Sequence, residues 1–422
     1  MNHNMKASNI TSIKNGIIAY PAFFSLVIYV FCYQFAYSFS STFFLYIAFA
    51  GFVVWLICGQ KIFLSKQMVF MGLVTVVSVI GAIYTDNSEK GNREAILTFV
   101  SFAFLVVFTQ DNILLTKLKK IIGVCSFVVL VGVMFQYLFK DSVNNLLGKM
   151  LRTDCYEHLM WSYTVDGAYA GFSAYTADAA YFIAVLFGFI IFGWLRNSKA
   201  SVWNKVFRIA VGGLSIFAVI LTSKRGVLVA LLIAWMVTYI IWKRLSMKTV
   251  AKILLLLTVC GVVLLILSEH NEIVQDFLKR FDSTDGDITT GRSEIWKNAI
   301  EASKNVMIGN GTGSAYTIYD KGLHNIYLQL FYDHGIIGLL IYAAFFLFNL
   351  RVAIKRRDPM SIYVQLLMLI YGMSGNPIYS NSFFIIYVLF SIVAAKGITK
   401  NTTSYECPKE SLKNESRNFN VS

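Results

Sequence analysis

Long apolar runs separated by short polar connections dominate this chain, and they recur with the length of a membrane crossing. A transmembrane helix needs about 20 apolar residues, fewer where interfacial or snorkelling side chains flank it. On that measure the pattern predicts about 12 spans, at roughly 17–37, 42–59, 67–84, 94–109, 121–139, 177–195, 207–222, 226–242, 251–268, 326–349, 360–374 and 381–395. The first run is too long for a signal-peptide core and has no small-residue cleavage site before the next span, so it is expected to be a retained helix. Connections carrying Lys61/Lys66, Lys117/Lys119/Lys120, Arg196/Lys199/Lys205, Lys243/Arg244/Lys248 and Arg351/Lys355/Arg356/Arg357 alternate with acidic or neutral ones. Cytoplasmic loops are enriched in Lys and Arg, so the alternation predicts that both termini face the cytoplasm.

The expected fold class is therefore all-α: a polytopic transmembrane bundle forming a single integral membrane domain over 1–422. Five segments face outward: 86–93, a medium loop at 140–176, a tight turn at 223–225, a long exterior loop at 269–323 and a turn at 375–381. Within the long loop Ile295, Trp296, Ala299, Ile300 and Ala302 recur at helical spacing. With Thr290 or Gly291 as cap and Gly309 as terminator, they predict a short helix over about 292–305 lying against the membrane surface. The polar, apolar-poor stretch 398–422 reads as a disordered cytoplasmic tail. No repeat of about 20–50 residues and no second, soluble domain is visible.

Composition agrees with this picture. Of 422 residues 57% are hydrophobic and only 14% charged, against roughly 25% charged in a soluble domain. A net charge of +14 would suggest nucleic acid as partner in a soluble protein. Here most of the 37 Lys and Arg fall on the cytoplasmic side, so the excess is a topology signal and no nucleic acid is expected. Cys32, Cys58, Cys125 and Cys260 sit in apolar runs and Cys407 in the tail, leaving only Cys155 in an exterior loop. No exterior disulfide framework can form from one cysteine, and no Cys/His spacing matches a metal site.

Candidate chemistry concentrates between Gly291 and Leu339. His324 and Asn325 are followed by nine residues and then Gly335, Gly338 and Leu339, a pattern H-N-x9-G-x-x-G-L. Upstream lie Thr289, Gly291, Arg292 and Trp296 as T-x-G-R-x-x-x-W, then the cluster Gly309, Gly311, Gly313; LTSKRG occupies Leu221 to Gly226. This combination resembles the O-antigen ligase and O-antigen polymerase superfamily, bacterial membrane glycosyltransferases that act on polyprenyl-diphosphate-linked glycans. The resemblance is strongest over about 288–341 and weaker over 165–230, where AGFSAYTADAA spans Ala170 to Ala180. Two departures stand out: the proline that often precedes the glycine cluster is absent, and T-S-K-R-G replaces the frequent T-x-S-R-G.

Each residue has a plain reading beside the functional one. His324 would open a transmembrane helix from outside, where the positive end of the dipole favours a neutral ring. Such a ring either caps its helix or serves as general base toward a sugar hydroxyl. Arg225 stands beside Lys224 in an outward turn where the topology rule disfavours two cations; it either snorkels to headgroups or binds a diphosphate through its guanidinium. Arg292 sits in the first turn of its helix, the wrong end for a cation, which invites an anion or leaves a solvated side chain. Arg280 is a third cation that could bind diphosphate or simply pair with Asp282. Asp333 and His334 would lie about 14 Å into the membrane on a continuous helix, as functional groups or as a hydrogen-bonded packing lock. Gly335 and Gly338 have the spacing that lets helices approach. Asp282, Asp285 and Asp287 could hold an ion but lack the full calcium-loop set, and GNGTGS is not a nucleotide phosphate loop. In 140–176, Arg152, Asp154, His158, Trp161, Tyr163 and Asp166 mix charge and aromatics as sugar-binding surfaces do.

The resemblance implies a donor glycan on undecaprenyl diphosphate, no cofactor or metal, and an inverting transfer. Arg225 and Arg292 would meet the diphosphate, with Arg280 as an additional contact, and His324 would meet the acceptor, with Asn325 and Asp333 as acceptor contacts or support. It places the protein in the bacterial inner membrane with its site outward, with a second lipid-linked glycan as acceptor, membrane lipid around it and a chain-length regulator protein as a candidate partner. A polymerase of O-antigen or capsule repeat units is the leading expectation. A ligase transferring polymer to lipid A-core shares the chemistry, and a polysaccharide-lipid flippase or transporter is the alternative from another class. A transporter would favour charged residues along the spans and internal repeats, which this sequence lacks.

Overall fold

A computed structural model describes residues 41–57, 64–110, 112–173, 175–196, 201–243, 292–320, 322–379 and 382–396, with isolated positions in 25–28 and 251–275. Among these residues the protein is all-helical, without strands. In order the helices are α1 (Ser41–Ile57), α2 (Lys66–Ile83), α3 (Ser88–Gln110), α4 (Asn112–Leu138), α5 (Lys140–Met150), α6 (Thr153–Asp166), α7 (Thr176–Arg196), α8 (Val202–Leu221), α9 (Arg225–Lys243), α10 (Arg292–Glu301), α11 (Ala315–Ile318), α12 (Ile326–Arg356), α13 (Pro359–Tyr371) and α14 (Phe383–Lys396). Seven of the described helices, α2, α3, α4, α7, α8, α9 and α12, are long and apolar enough to cross a membrane, and α13 and α14 are shorter apolar helices. The expected spans at 17–37 and 251–268, the loop 269–291 and the tail 398–422 fall wholly or largely outside the described residues.

Local sequence explains where these helices start and stop. Ser65 and Ser201 accept backbone N–H groups at the starts of α2 and α8, at 3.2 and 3.4 Å. Pro359 occupies the first turn of α13, where its missing N–H is harmless. Gly167 ends α6 in the left-handed conformation, where it has no Cβ to strain. The core is centred on α14, whose residues from Phe383 to Ala394 are all buried. A helix apolar on every side has to be enclosed by others. By contrast α2 turns Val69, Val76, Ile80 and Ile83 outward, as a lipid-facing helix does, and buries Met71, Val74 and Ser78. At its inner surface Gln67 Nε2 donates to Asn349 Oδ1 at 2.9 Å and to the Ser391 carbonyl at 3.0 Å, joining α2, α12 and α14. Such interhelical bonds have few competitors in a bilayer.

Three local expectations are corrected. The medium loop 140–176 contains two helices, α5 and α6. The helix starting at Arg292 stops at Glu301 rather than near 305, and Gly309 does not close it. Most consequential, α12 is broken at Gly335, which has φ 62° and ψ −166°. Asp333 and His334 therefore end the first half of a broken helix instead of projecting from a continuous span. The glycine-rich loop fills the break: Ile336 and Ile337 N–H donate to the Val306 and Met307 carbonyls at 2.9 and 3.2 Å. In return Asn310 and Gly311 N–H donate to the carbonyls of Tyr332 and Asp333, both at 2.9 Å. Non-helical backbone at membrane depth must be satisfied by protein in this way. Gly335 thus admits a loop backbone rather than a neighbouring helix, while Gly338 makes room for the His334 side chain and for Val77 of α2.

Candidate functional site

The turn between α8 and α9 carries Arg225 and is held from two sides. Tyr169 N–H donates to the Leu221 carbonyl at 2.9 Å. Ser223, with φ 56°, donates its hydroxyl to the Asp166 carbonyl at 3.2 Å. The end of α6 is thereby fastened to the residues just before Arg225. Gly226 follows, and a Cβ there would lie 2.3 Å from Ser374 Oγ, so the first turn of α9 packs against the turn 372–376.

That turn is where the separate pieces meet. Arg292 Nη1 donates to the Ser374 carbonyl at 2.9 Å. The Ile326 N–H donates to the Gly372 carbonyl at 2.8 Å, docking the start of α12 on the same turn. Burial, first of all, and then the neighbouring charge of Arg225 hold the Arg292 guanidinium below its ordinary pKa, partly offset by Tyr371. Two cations more than 60 residues apart in sequence thus share one locale, with the cost in repulsion and desolvation that an anion would offset.

One helical turn beyond Arg292, Trp296 Nε1 donates to the Leu323 carbonyl at 2.8 Å. Leu323 N–H in turn reaches Gln329 Oε1 at 3.3 Å. The residue before His324 is therefore held through both its polar backbone groups. His324 adopts φ 51°, uncommon for a non-glycine residue, and its ring meets Tyr319 edge-on at 6.1 Å. It does not cap α12. That task falls to Asn325, whose Oδ1 accepts Tyr327 and Leu328 N–H at 3.1 and 3.2 Å. The spacing Arg292/Trp296 thus has a local meaning: one face of α10 holds both the Ser374 turn and the His324 segment.

Asp333 is fully buried on the other side of this assembly. Its Oδ1 accepts Ala315 N–H at 2.8 Å and its Oδ2 accepts the Tyr379 hydroxyl at 3.2 Å. Tyr379 also lies 3.4 Å from His334 Nε2, so Asp333 and His334 share a tyrosine rather than bonding each other. Burial, followed by the charges of Glu94 and Asp333, pushes the nearby Tyr316 phenol well above its usual pKa. Asp333 belongs to the polar interior that holds the glycine loop to the broken helix. Arg280 lies outside the described residues, as do Asp282, Asp285 and Asp287.

Residues 210–343 match the family model described as O-antigen ligase. That match supports the likeness to the O-antigen ligase/polymerase superfamily. A search of curated proteins found no match to the chain. Members of that family are glycosyltransferase-like enzymes, and the seven described helices long and apolar enough to cross a membrane agree with a multi-pass membrane protein. Its O-antigen ligase segment contains Arg225, Arg292, Trp296, His324, the glycine cluster and the helix break. Two contributors to the site lie outside that segment and were missed from sequence. One is the turn 372–376, read only as an outward connection although its small residues signalled close approach. The other is Asp178, buried in the first turn of α7 within AGFSAYTADAA, whose charge acts on Tyr371, as that of Arg292 also does.

Removing the donor of the Trp296–Leu323 bond tests this clamp. Trp296→Phe keeps an aromatic ring but deletes the N–H, a loss of about 1 kcal/mol. Transfer activity per molecule is expected to fall about fivefold, with normal protein level, when surface glycan is quantified against the wild type. Unchanged activity would make Trp296 a packing residue only.

Proposed function

We propose that the protein polymerises undecaprenyl-diphosphate-linked oligosaccharide repeat units into O-antigen or capsular polysaccharide at the outer face of the bacterial cytoplasmic membrane. The observation that carries this reading is the pairing of Arg225 and Arg292 around the turn 372–376, beside the clamped segment of His324. Guanidinium groups suit a diphosphate because they stay charged in poorly hydrated surroundings and bond its oxygens in pairs.

In the proposed reaction the bond between the donor's anomeric carbon and the diphosphate oxygen breaks, and its electron pair leaves on the diphosphate. The acceptor hydroxyl oxygen forms the new bond from the opposite face, giving inversion, and its proton passes to His324. Arg225 and Arg292 stabilise charge where it grows on the leaving group, and a general base adds about 10²- to 10⁴-fold. Asn325 and Asp333 act as support, one by capping α12 and the other by holding the glycine loop. Diphosphate is already a good leaving group, so this route uses neither metal nor nucleotide. Both termini lie in the cytoplasm, and a chain-length regulator protein is a fitting partner for such a polymerase.

Deleting the gene and comparing surface glycan with the lipid-linked pool tests the assignment. Loss of a polymerase leaves single repeat units on the surface. Full-length polymer stranded on the lipid carrier would instead identify a ligase, and absence of repeat units outside would identify a flippase.

A further inference from the structure

A groove of about 680 Å³ opens between α4, α7 and α14. On α4 the wall runs from Leu115 and Thr116 past Lys119 and Lys120 to Gly123 and Phe127, and Phe189 of α7 and Val393 of α14 complete it. From Lys119 to Phe127 the α4 wall runs about 12 Å at 1.5 Å per residue, comparable with the roughly 15 Å of hydrocarbon in one leaflet. The groove is thus apolar from Gly123 to Phe127 and cationic in its half nearer the start of α4.

Its place in the bundle separates it from the proposed transferase site. The far end of α4 is the one near Arg225: Gly132 packs against Phe172, and Tyr137 meets Tyr169, whose N–H bonds Leu221. α7 starts at that same end and runs back toward the groove. Lys119 and Lys120 consequently sit at the opposite end of the bundle from Arg225 and Arg292, where a donor diphosphate bound by those arginines cannot reach. Gly123 leaves space in the wall, since a Cβ there would meet only Phe189, at 3.9 Å.

We propose that this groove binds an anionic glycerophospholipid, with its phosphate between Lys119 and Lys120 and one acyl chain along α4 and α7. Charge complementarity selects the headgroup. A net-negative headgroup gains from both lysines, about fivefold for each cation at an anionic surface, whereas the ammonium of a zwitterionic lipid cancels much of that gain. The apolar wall then holds the chain by ordinary burial.

The test uses the full chain in nanodiscs of equal phosphatidylglycerol and phosphatidylethanolamine, with retained lipid counted by native mass spectrometry after mild extraction. Wild type is expected to retain phosphatidylglycerol about five- to twentyfold over phosphatidylethanolamine. Lys119→Gln/Lys120→Gln should bring that ratio close to one. Gly123→Leu, which favours helix and fills the groove, should reduce retention of both lipids while the lysines remain. If that variant fails to fold, the lysine pair decides alone. No headgroup preference in wild type, a preference that survives the lysine substitutions, or no retained lipid because another part of the chain occupies the groove would each overturn the proposal.

Discussion

Arg292→Ala is expected to lower glycan transfer about 10²- to 10³-fold at unchanged protein level. Removing one preorganised donor to a developing negative charge costs roughly 3–4 kcal/mol of transition-state stabilisation. Arg292 is placed for such a role: it is partly buried, one nitrogen is held by the Ser374 carbonyl at 2.9 Å, and Arg225 is close enough to disfavour its charge. Anchoring through Nη1 orients the planar group without using up its five N–H donors. Arg292→Lys retains the charge but loses the fork and is expected to recover only part of the activity. Because Arg225 would act on the same diphosphate, the double substitution should lose less than the product of the single losses. The measurement is the surface glycan ladder together with the lipid-linked pool, normalised to protein. A normal ladder from Arg292→Ala would eliminate the diphosphate clamp, and a normal ladder from His324→Ala would eliminate the general base.

Gly335→Ala is expected to remove most folded protein rather than to slow a correctly folded enzyme. Its backbone lies at φ 62° and ψ −166°, and an added Cβ would come within 2.4 Å of the Met307 carbonyl carbon and oxygen. The unfavourable dihedral alone costs about 1–3 kcal/mol. The collision is with backbone, which cannot rotate aside as a side chain can, so the loop would have to leave the break. Four backbone hydrogen bonds depend on that loop, those of Ile336, Ile337, Asn310 and Gly311. Breaking them in a membrane leaves polar groups without water to replace their partners. The monodisperse fraction after detergent extraction, followed by fluorescence-detected size exclusion, should collapse for Gly335→Ala. Gly167→Ala is the control: φ is also positive, at 57°, but nothing lies within 4 Å of its added Cβ, so only about 1 kcal/mol is at stake. Equal recovery of both variants would mean that the loop is not wedged into the broken helix.

These two results would separate chemistry from architecture in one short region. Arg292 and Trp296 act outward from α10, on the Ser374 turn and on the residue before His324. The glycines act inward: Gly309 lets the loop approach the break in α12, and Gly311 and Gly313 let it approach the α2–α3 connection at Gly81, Thr85 and Gly91. Gly309 illustrates the second role, since a Cβ there would lie 2.4 Å from the His334 backbone nitrogen. G-x-G-x-G is thus a packing device, and its legibility as a cluster of glycines did not disclose what it packs against.

The apolar runs by themselves determined that the chain is helical and membrane-embedded, because burial and backbone satisfaction in lipid leave few other solutions. The starts of α9 and α10 and the position of Asn325 before α12 were also written locally, in short-range turns and caps. The pattern H-N-x9-G-x-x-G-L pointed to the superfamily that the family model over 210–343 supports, and Arg225, Arg292 and His324 were visible as candidates from their residue types and loop positions. Only the tertiary structure decided that Arg225 and Arg292 lie within each other's field, that the turn 372–376 joins them to α12, and that α12 is broken at Gly335. A periodic hydrophobic pattern reports which side chains avoid water. It carries no record of which distant carbonyl accepts the Arg292 N–H, or which loop replaces a missing helical turn, because those depend on backbone groups present at every position of the chain.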